Sequence, residues 1–177
     1  MTAPTPGTSP LSGHRVLDFS QLIAGPSAGV MLADLGADVI KIERPTGELG
    51  RTVGPEVGVP ATFAAYNRGK RALAVDITTP EGRDIVMRLI ATSDVLIQNF
   101  RPGVMDRLGF GYEKARALRP DIVYCVATGF DQDGPDAGQP AFDDVIQAAS
   151  GLVAITGMGK DAPDFMPTLV ADKTTGM

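Results

Sequence analysis

One aspartate, Asp172, lies where a carboxylate could serve as a nucleophile. It follows three apolar residues and comes just before the start of a predicted helix. An aspartate in this position is typically a helix cap, because its side chain accepts a hydrogen bond from a free backbone N–H. A cap can also be a nucleophile, since the positive end of a helix favours the ionised carboxylate that attacks a carbonyl carbon. Both interpretations of Asp172 stay open at this point.

Basic residues gather at the ends of predicted strands, although the chain carries a formal net charge of −5. Arg44 follows the second strand, and Arg101 and Arg107 follow the fourth. In an open parallel sheet, ligands bind outside the carboxyl ends of the strands, so we expect these three guanidinium groups on one rim. They would suit a phosphate-bearing ligand, and the alternative is that they are scattered, solvated charges. Further basic residues end the second strand or precede the third: Lys41, Arg68, Lys70 and Arg71.

The fourth predicted strand leads into the loop Asn99-Phe100-Arg101-Pro102-Gly103. Phe100 offers an aromatic face, and Arg101 places a guanidinium group next to it. Such a pair can hold an adenine ring close to its phosphates. An ordinary turn can have the same composition, so the loop alone does not decide between the two.

Other residue patterns favour simpler interpretations. Gly25 follows the first strand and Glu43 ends the second, as in dinucleotide-binding proteins, but the turn has only one of the three glycines of that motif. A tightly packed strand-to-helix turn is therefore preferred. His14 is the only histidine, which argues against a histidine-based triad and a metal site. Cys125 lies in an apolar strand and is predicted to be a core thiol.

The elements that would position these residues alternate along the chain. Helical patterns separate five predicted strands, at residues 15–19, 38–43, 71–76, 94–98 and 122–127. The helices are expected from residue 27 to 35, after Pro80, and at residues 104–108, 112–118 and 144–151, with a loop over 46–60. This alternation predicts an α/β fold with a parallel sheet. Residues 1–12 hold three prolines and are predicted to be a flexible leader before one domain over residues 13–177.

Composition excludes several classes of protein. With 44% hydrophobic and 21% charged residues, the chain can bury a core and is not disordered throughout. A single cysteine excludes a disulfide framework, and no run of about eighteen apolar residues predicts a membrane span. The 21 acidic against 16 basic residues argue against a general nucleic-acid binder. We expect a cytoplasmic protein, and one whose natural sequence continues beyond Met177, where a helix has just begun.

Ordered motifs over about residues 13–177 resemble those of the class III coenzyme A transferases. They are Val16-Leu17-Asp18-Phe19, Ala24-Gly25-Pro26, the stretch 35–43, Asn67-Arg68-Gly69-Lys70-Arg71, the loop 99–103, Asp106-Arg107-Leu108-Gly109, Thr128-Gly129-Phe130, Phe142-Asp143, Gln147-Ala148, Ser150-Gly151 and Ala171-Asp172. This CaiB/BaiF family includes formyl-CoA transferase and the carnitine and bile-acid CoA transferases, and alpha-methylacyl-CoA racemase is a relative. Each motif is weak alone, but the ordered set is specific.

The resemblance implies a Rossmann-like open parallel sheet with flanking helices that binds coenzyme A. Family members are more than twice as long as this chain, so residues 13–177 would be the amino-terminal CoA-binding domain and the second domain would be absent. Members form interlocked dimers, which implies a homodimer. Acyl-CoA and a carboxylic acid would be the substrates, without metal, nucleic acid or membrane, and the fragment alone would be inactive.

The resemblance also implies roles for individual residues. Asp172 matches the nucleophilic aspartate, which attacks the acyl-CoA thioester to give a mixed anhydride and then carries CoA as an aspartyl thioester. The positions that match CoA contacts are Leu22, Ile23, Ala24, Arg44, Val75, Asp76, Ile77, Thr78, Asn99, Phe100, Arg101 and Arg107.

One departure from the motifs separates two activities. Racemase relatives carry a histidine immediately before the acid of the motif that here reads Phe142-Asp143. A phenylalanine cannot transfer a proton, so the sequence favours an acyl-CoA:carboxylate CoA-transferase. A 2-methylacyl-CoA racemase and a non-catalytic CoA-binding or assembly module are the alternatives.

Overall fold

A computed structural model describes residues 9–53 and 58–177. Five parallel strands form one sheet in the order β3-β2-β1-β4-β5. The strands are β1 (Arg15–Asp18), β2 (Asp38–Glu43), β3 (Arg71–Ala74), β4 (Val95–Gln98) and β5 (Val123–Val126). In register, Val16 pairs with Val39 on one side and with Val95 on the other. This Rossmann-like α/β fold confirms the sequence-based prediction.

Helices connect and flank the strands. They are α1 (Ala24–Asp34), α2 (Ala61–Asn67), α3 (Pro80–Ile90), α4 (Val104–Leu108), α5 (Tyr112–Leu118), α6 (Asp143–Ala149), α7 (Leu152–Thr156) and α8 (Val170–Thr175), with a 3-10 helix at Leu49–Arg51. The predicted start of α3 is confirmed, because the Thr79 hydroxyl accepts a hydrogen bond of 3.1 Å from the Gly82 N–H. The sequence did not predict α2 or α7.

The core has two layers because successive strand residues point to opposite faces of the sheet. Leu17, Ile40 and Leu96 pack with side chains of α3, α4 and α5, including Val86, Met105 and Ala115. The alternate residues Val16, Val39 and Ile97 pack on the other face, against Leu32 and Ala33 of α1. Burial of one such side chain contributes about 1.5–3 kcal/mol. Both faces of the central strands are therefore covered, as their apolar sequences require.

Lys70 is buried and links three elements of the fold. Its ammonium donates hydrogen bonds to Asp18 Oδ2 at 2.7 Å, Pro26 O at 2.8 Å and Asn67 Oδ1 at 3.2 Å. Burial lowers the pKa of Lys70, and the Asp18 carboxylate opposes that shift. Lys70 thereby ties the start of β3 to the end of β1 and to α1.

The predicted leader joins the fold earlier than expected. The Leu11 N–H donates a 2.9 Å hydrogen bond to Leu35 O, and the Leu11 side chain packs against the Val16 layer. Residues 9–12 are therefore part of the packed domain, where a flexible leader was predicted. Residues 1–8 lie outside the described residues.

The prediction for Cys125 is wrong, because its side chain is exposed. Strand β5 ends the sheet on one side, and its residues alternate between exposed and half-buried. In the described part of the chain, no helix is long and apolar enough to cross a bilayer.

Candidate active site

A cavity of about 410 Å³ lies outside the carboxyl ends of β1, β4 and β5. The turns that follow these strands form its walls, at residues 21–24, 99–102 and 127–130, and α6 and α8 close it. The strand order reverses between β1 and β4, and such a reversal point is where open α/β sheets bind their ligands. The fold thus places a cavity where the sequence predicted a binding rim.

Asp172 lines this cavity from the first turn of α8. The helix approaches α1 so closely that a Cβ atom on Gly176 would lie 1.7 Å from Ser27 Oγ. The cap position of α8 is occupied by Leu169, and no hydrogen bond to the Asp172 carboxylate is found among the described residues. The helix-cap interpretation of Asp172 is therefore wrong, and its carboxylate is left available to a ligand.

A buried carboxylate, Asp143 of α6, holds the backbone of Asp172. Asp143 Oδ1 accepts a 2.9 Å hydrogen bond from the Asp172 N–H, and Asp143 Oδ2 accepts one of 2.6 Å from Gln147 Nε2. Gln147 Oε1 in turn accepts a 2.9 Å hydrogen bond from the Met166 N–H. This network fixes α8 and the segment before it on α6, so the position of Asp172 depends on residues far away in sequence.

The surroundings of Asp172 disfavour its negative charge. Partial burial raises the pKa of the Asp172 carboxyl, and the nearby charge of Asp143 raises it further. A carboxylate with a raised pKa is more basic once it has lost its proton. Such a group suits attack on an electrophilic carbonyl carbon.

The turns after β1 and β4 hold each other in place through Asn99. The Gln21 N–H donates to Asn99 Oδ1 and Asn99 Nδ2 donates to Gln21 O, both at 2.8 Å. Phe100 packs partly against the core, and Arg101 is exposed on the cavity rim. Asn99 therefore helps to shape the cavity by fixing the backbone of Gln21.

The predicted site residues separate into two groups. Seven line the cavity: Leu22, Ile23, Ala24, Asn99, Phe100, Arg101 and Asp172. Six do not: Arg44, Val75, Asp76, Ile77, Thr78 and Arg107. Val75 is buried in the core, and Asp76 accepts hydrogen bonds from the N–H and hydroxyl of Thr78 at 2.9 and 2.6 Å. These contacts make the segment after β3 a tight turn ahead of α3.

The basic residues near the strand ends separate into those that form ion pairs and those that do not. Lys41 and Lys70 are buried beside carboxylates, Arg68 pairs with Asp34, and Arg71 pairs with Asp38. Within the described ranges, no ion pair forms at the three arginines of the predicted phosphate site, Arg44, Arg101 and Arg107. Their charges remain available to an anionic ligand.

Glu43 is not a ribose ligand, because Arg51 occupies both of its carboxylate oxygens at 2.7 and 2.8 Å. The preference for a packed turn over a dinucleotide site is consistent with this ion pair. No group of three or more metal-ligating side chains occurs among the described residues.

Comparison with known proteins identifies the family. Residues 11–177 match the family model described as CoA-transferase family III. The chain belongs to this family. It is 44% identical over 177 residues to a succinate–glutarate CoA-transferase of Agrobacterium fabrum, across 95% of this chain and 44% of the relative. It is 41% identical over 171 residues to the succinyl-CoA:glutarate CoA-transferase of Homo sapiens, across 95% of this chain and 39% of the relative.

Solved structures agree with the family assignment. A crystal structure of a CaiB/BaiF family protein from Brucella suis superimposes with a TM-score of 0.90 at 42% identity, across 95% of this chain and 46% of that one. The class III resemblance of the motifs is therefore confirmed. This family III chain spans less than half the length of the curated relatives it matches.

In this family III chain, two adjacent residues near Asp172 differ in their burial and in their contacts. Phe142 lines the cavity and is 59% exposed, and it offers no group that can transfer a proton. Asp143, the next residue, is buried and holds Asp172. Asp143 and Gln147 belong to the sequence motifs, which assigned them no role. Their i, i+4 spacing on a helix was the available signal for their hydrogen bond.

Proposed function

We propose that this chain is the CoA-binding half of an acyl-CoA:carboxylate CoA-transferase, with Asp172 as the nucleophile. One observation carries the proposal. The half-buried carboxylate of Asp172 lines the cavity at the reversal point of the sheet, in the same cavity as Arg101 and the turn over residues 22–24. A nucleophile and an anion-binding group thus share one site.

Coenzyme A would extend beyond this cavity. A volume of about 410 Å³ suits a drug-sized group, and the whole of CoA is larger than that class. We place the pantetheine end and its thioester inside the cavity, next to Asp172. The phosphates and adenine would then cross the rim along Phe100, Arg101, Arg107 and Arg44, with residues 75–78 near the adenine.

The covalent route needs one carboxylate and no redox change. Asp172 Oδ attacks the thioester carbonyl carbon, the C–S bond breaks, and CoA leaves as its thiolate. The thiolate then attacks the aspartyl carbonyl carbon of the mixed anhydride, which releases the donor acid as a carboxylate and leaves an aspartyl-CoA thioester. An acceptor carboxylate reverses the two steps. The acceptor departs as its CoA thioester, and Asp172 returns to the ionised form.

Among the described residues, no histidine lines the cavity to serve as the acid–base partner that the racemase alternative requires. Racemisation needs an acid–base pair on the two sides of the α-carbon. The histidine His14 precedes β1, at the opposite edge of the sheet from the cavity. The position next to Asp143 is Phe142. These placements favour transfer over racemisation.

We further propose that turnover requires the part of the relatives that this chain does not match, in a cytoplasmic homodimer. Large apolar side chains around α6 to α8 are exposed, including Phe142 at 59%, Met158 at 77% and Phe165 at 50%. Exposed apolar patches of this kind typically mark interaction surfaces. The isolated chain is then expected to be inactive.

Trapping of the covalent intermediate tests the proposal. A full-length transferase that contains this chain is incubated with acyl-CoA, and the reaction is then quenched. The protein is digested, and the mass of the peptide that contains Asp172 is measured by mass spectrometry. We expect a mass increase equal to CoA less one water, as in an aspartyl-CoA thioester, and loss of both the adduct and CoA exchange in Asp172→Ala. The matched control is Asp144→Ala, an exposed acid on α6 whose loss should change neither. Normal exchange by Asp172→Ala would contradict the nucleophile, and CoA binding without any exchange in the wild type would favour the non-catalytic module.

A further inference from the structure

Leu22 has an unusual backbone conformation for its residue type. Its φ angle is +66°, and within the described ranges every other positive φ belongs to glycine. A residue with a Cβ atom disfavours this left-handed conformation, because the Cβ atom comes too close to the carbonyl oxygen that follows it. Since Leu22 lines the cavity, the surrounding structure must hold one cavity wall in a conformation that the residue itself disfavours.

Three side chains from other elements hold this stretch of backbone. The Leu22 N–H donates a 2.9 Å hydrogen bond to Glu48 Oε2. Asn99 pairs with both backbone groups of Gln21, and Lys41 Nζ donates to the carbonyl of Ser20. Three consecutive residues are thus fixed from outside their own turn.

Glu48 is the unusual member of this set. It is 4% exposed, its Oε1 has no hydrogen-bond partner among the described residues, and Lys41 Nζ lies 3.4 Å from that oxygen. A buried ion pair with an unfilled hydrogen bond contributes little to stability compared with well-packed hydrocarbon. Glu48 also lies outside the cavity lining. Its structural effect is therefore on the Leu22 backbone.

The segment that carries Glu48 is itself anchored. Glu48 immediately precedes the 3-10 helix Leu49–Arg51. Arg51 pairs with Glu43 at the end of β2, and its guanidinium carbon lies 3.9 Å from the centre of the Phe63 ring. The Glu48 carboxylate is consequently held between β2 and the turn after β1.

We propose that Glu48 is a positioning residue for acyl-CoA binding. Its carboxylate, paired with Lys41, keeps Leu22 in the left-handed conformation in which the turn over residues 21–24 receives the ligand. The inference rests on the proposed CoA site and deepens it, because it names a residue outside the cavity that sets its affinity.

A double-mutant cycle tests the coupling. CoA affinity is measured by calorimetry on a full-length transferase that contains this chain, for Glu48→Gln, Leu22→Gly and the double variant. Glu48→Gln should raise the Kd for CoA about tenfold, because the neutral amide loses the ion pair with Lys41 and accepts a weaker hydrogen bond from the Leu22 N–H. In the Leu22→Gly background the same change should raise Kd less than about threefold, because glycine adopts positive φ without cost.

Kinetics separate positioning from a purely structural role. For Glu48→Gln we expect the KM for acyl-CoA to rise with Kd while kcat stays within about twofold of wild type. The matched control is Asp94→Asn, at the opposite edge of the sheet. Asp94 also accepts a backbone N–H, from Arg15 at 2.8 Å, and pairs with Arg119 at 2.9 Å. Its replacement should lower stability and leave the Kd for CoA unchanged.

Each outcome decides between the two proposals. A wild type that binds no CoA overturns the proposed function and this inference together. If the wild type binds CoA but Glu48→Gln binds equally well, or loses as much affinity with glycine at position 22, only the positioning role is wrong. If Glu48→Gln fails to fold, Glu48→Asp keeps the charge but withdraws the carboxylate from Leu22, and must show the same coupling.

Discussion

At the residue scale, the proposed chemistry depends on two carboxyl groups of unequal burial. Asp143 is buried, and its two oxygens accept hydrogen bonds from the Asp172 N–H and from Gln147. Asp172, in contrast, faces the cavity. Burial and the charge of Asp143 both raise the pKa of Asp172. One acid therefore positions the other and also makes it more basic.

A pH profile tests this coupling. In the proposed mechanism only ionised Asp172 attacks, so kcat/KM for CoA transfer should fall as the pH drops through its raised pKa. Asp143→Asn removes a negative charge, so it should lower the pKa of Asp172 and move the acidic limb to lower pH. Asp144→Asn, the exposed neighbour, is the control and should leave the limb in place. An acidic limb that moves to higher pH in Asp143→Asn would contradict the electrostatic account.

At the element scale, the sequence predicted the limits of those strands and helices that have a clear local pattern of apolar residues. The predicted and observed limits coincide for β2, α4 and α5, whose apolar spacing and flanking Gly or Pro are clear. Helix α7, between Gly151 and Gly157, was predicted as a loop. Three of its five residues, Val153, Ile155 and Thr156, are β-branched, and such residues have a low helix propensity.

The parts of the site that the sequence did not predict arise from tertiary packing. Asp143 reaches the Asp172 N–H across 29 residues of chain, and Lys41 is buried because strands pair on both sides of β2. No spacing of residues in the sequence indicates either contact. Of the seven predicted residues that line the cavity, Asp172, Phe100 and Arg101 were also indicated by their residue types and positions, whereas the others came from the family resemblance. Contacts of these residues with CoA stay predictions.

The contact between α8 and α1 gives a prediction at this scale. In Gly176→Ala the new Cβ would lie 1.7 Å from Ser27 Oγ and 2.7 Å from Ala24 O, so α8 must shift. We expect a loss of about 1–3 kcal/mol in the free energy of unfolding. Denaturant titration measures this loss. Gly138→Ala is the control, because its Cβ would meet nothing within 4 Å. Equal stability of the two variants would show that α8 does not pack on α1 as described.

At the scale of the whole molecule, charge is distributed unevenly. The chain carries a formal net charge of −5, yet Arg101 lies on the cavity rim, and the proposed path of CoA also includes Arg44 and Arg107. An anionic ligand is thus repelled by the molecule as a whole and attracted by one edge of the sheet. If CoA binds there, the attraction by these arginines must exceed the repulsion by the net negative charge.

Salt dependence measures that local attraction. The Kd for CoA should rise with ionic strength, because salt screens the exposed arginines. Arg101→Gln should raise Kd about tenfold at low salt and flatten the salt dependence. The control is Arg116→Gln, an exposed arginine on α5 that lines no part of the cavity. Identical salt dependence in wild type and Arg101→Gln would exclude a phosphate contact at this residue.

The order of elements along the chain has a consequence for synthesis. All five strands lie within residues 15–126, whereas Asp172 lies on α8, the last helix described. Domains begin to fold while the ribosome is still extending them, amino-terminal parts first. The nascent chain can therefore form its sheet before Asp172, the proposed nucleophile, has been translated. A ribosome stalled between β5 and α8 would carry a folded sheet that does not yet include Asp172.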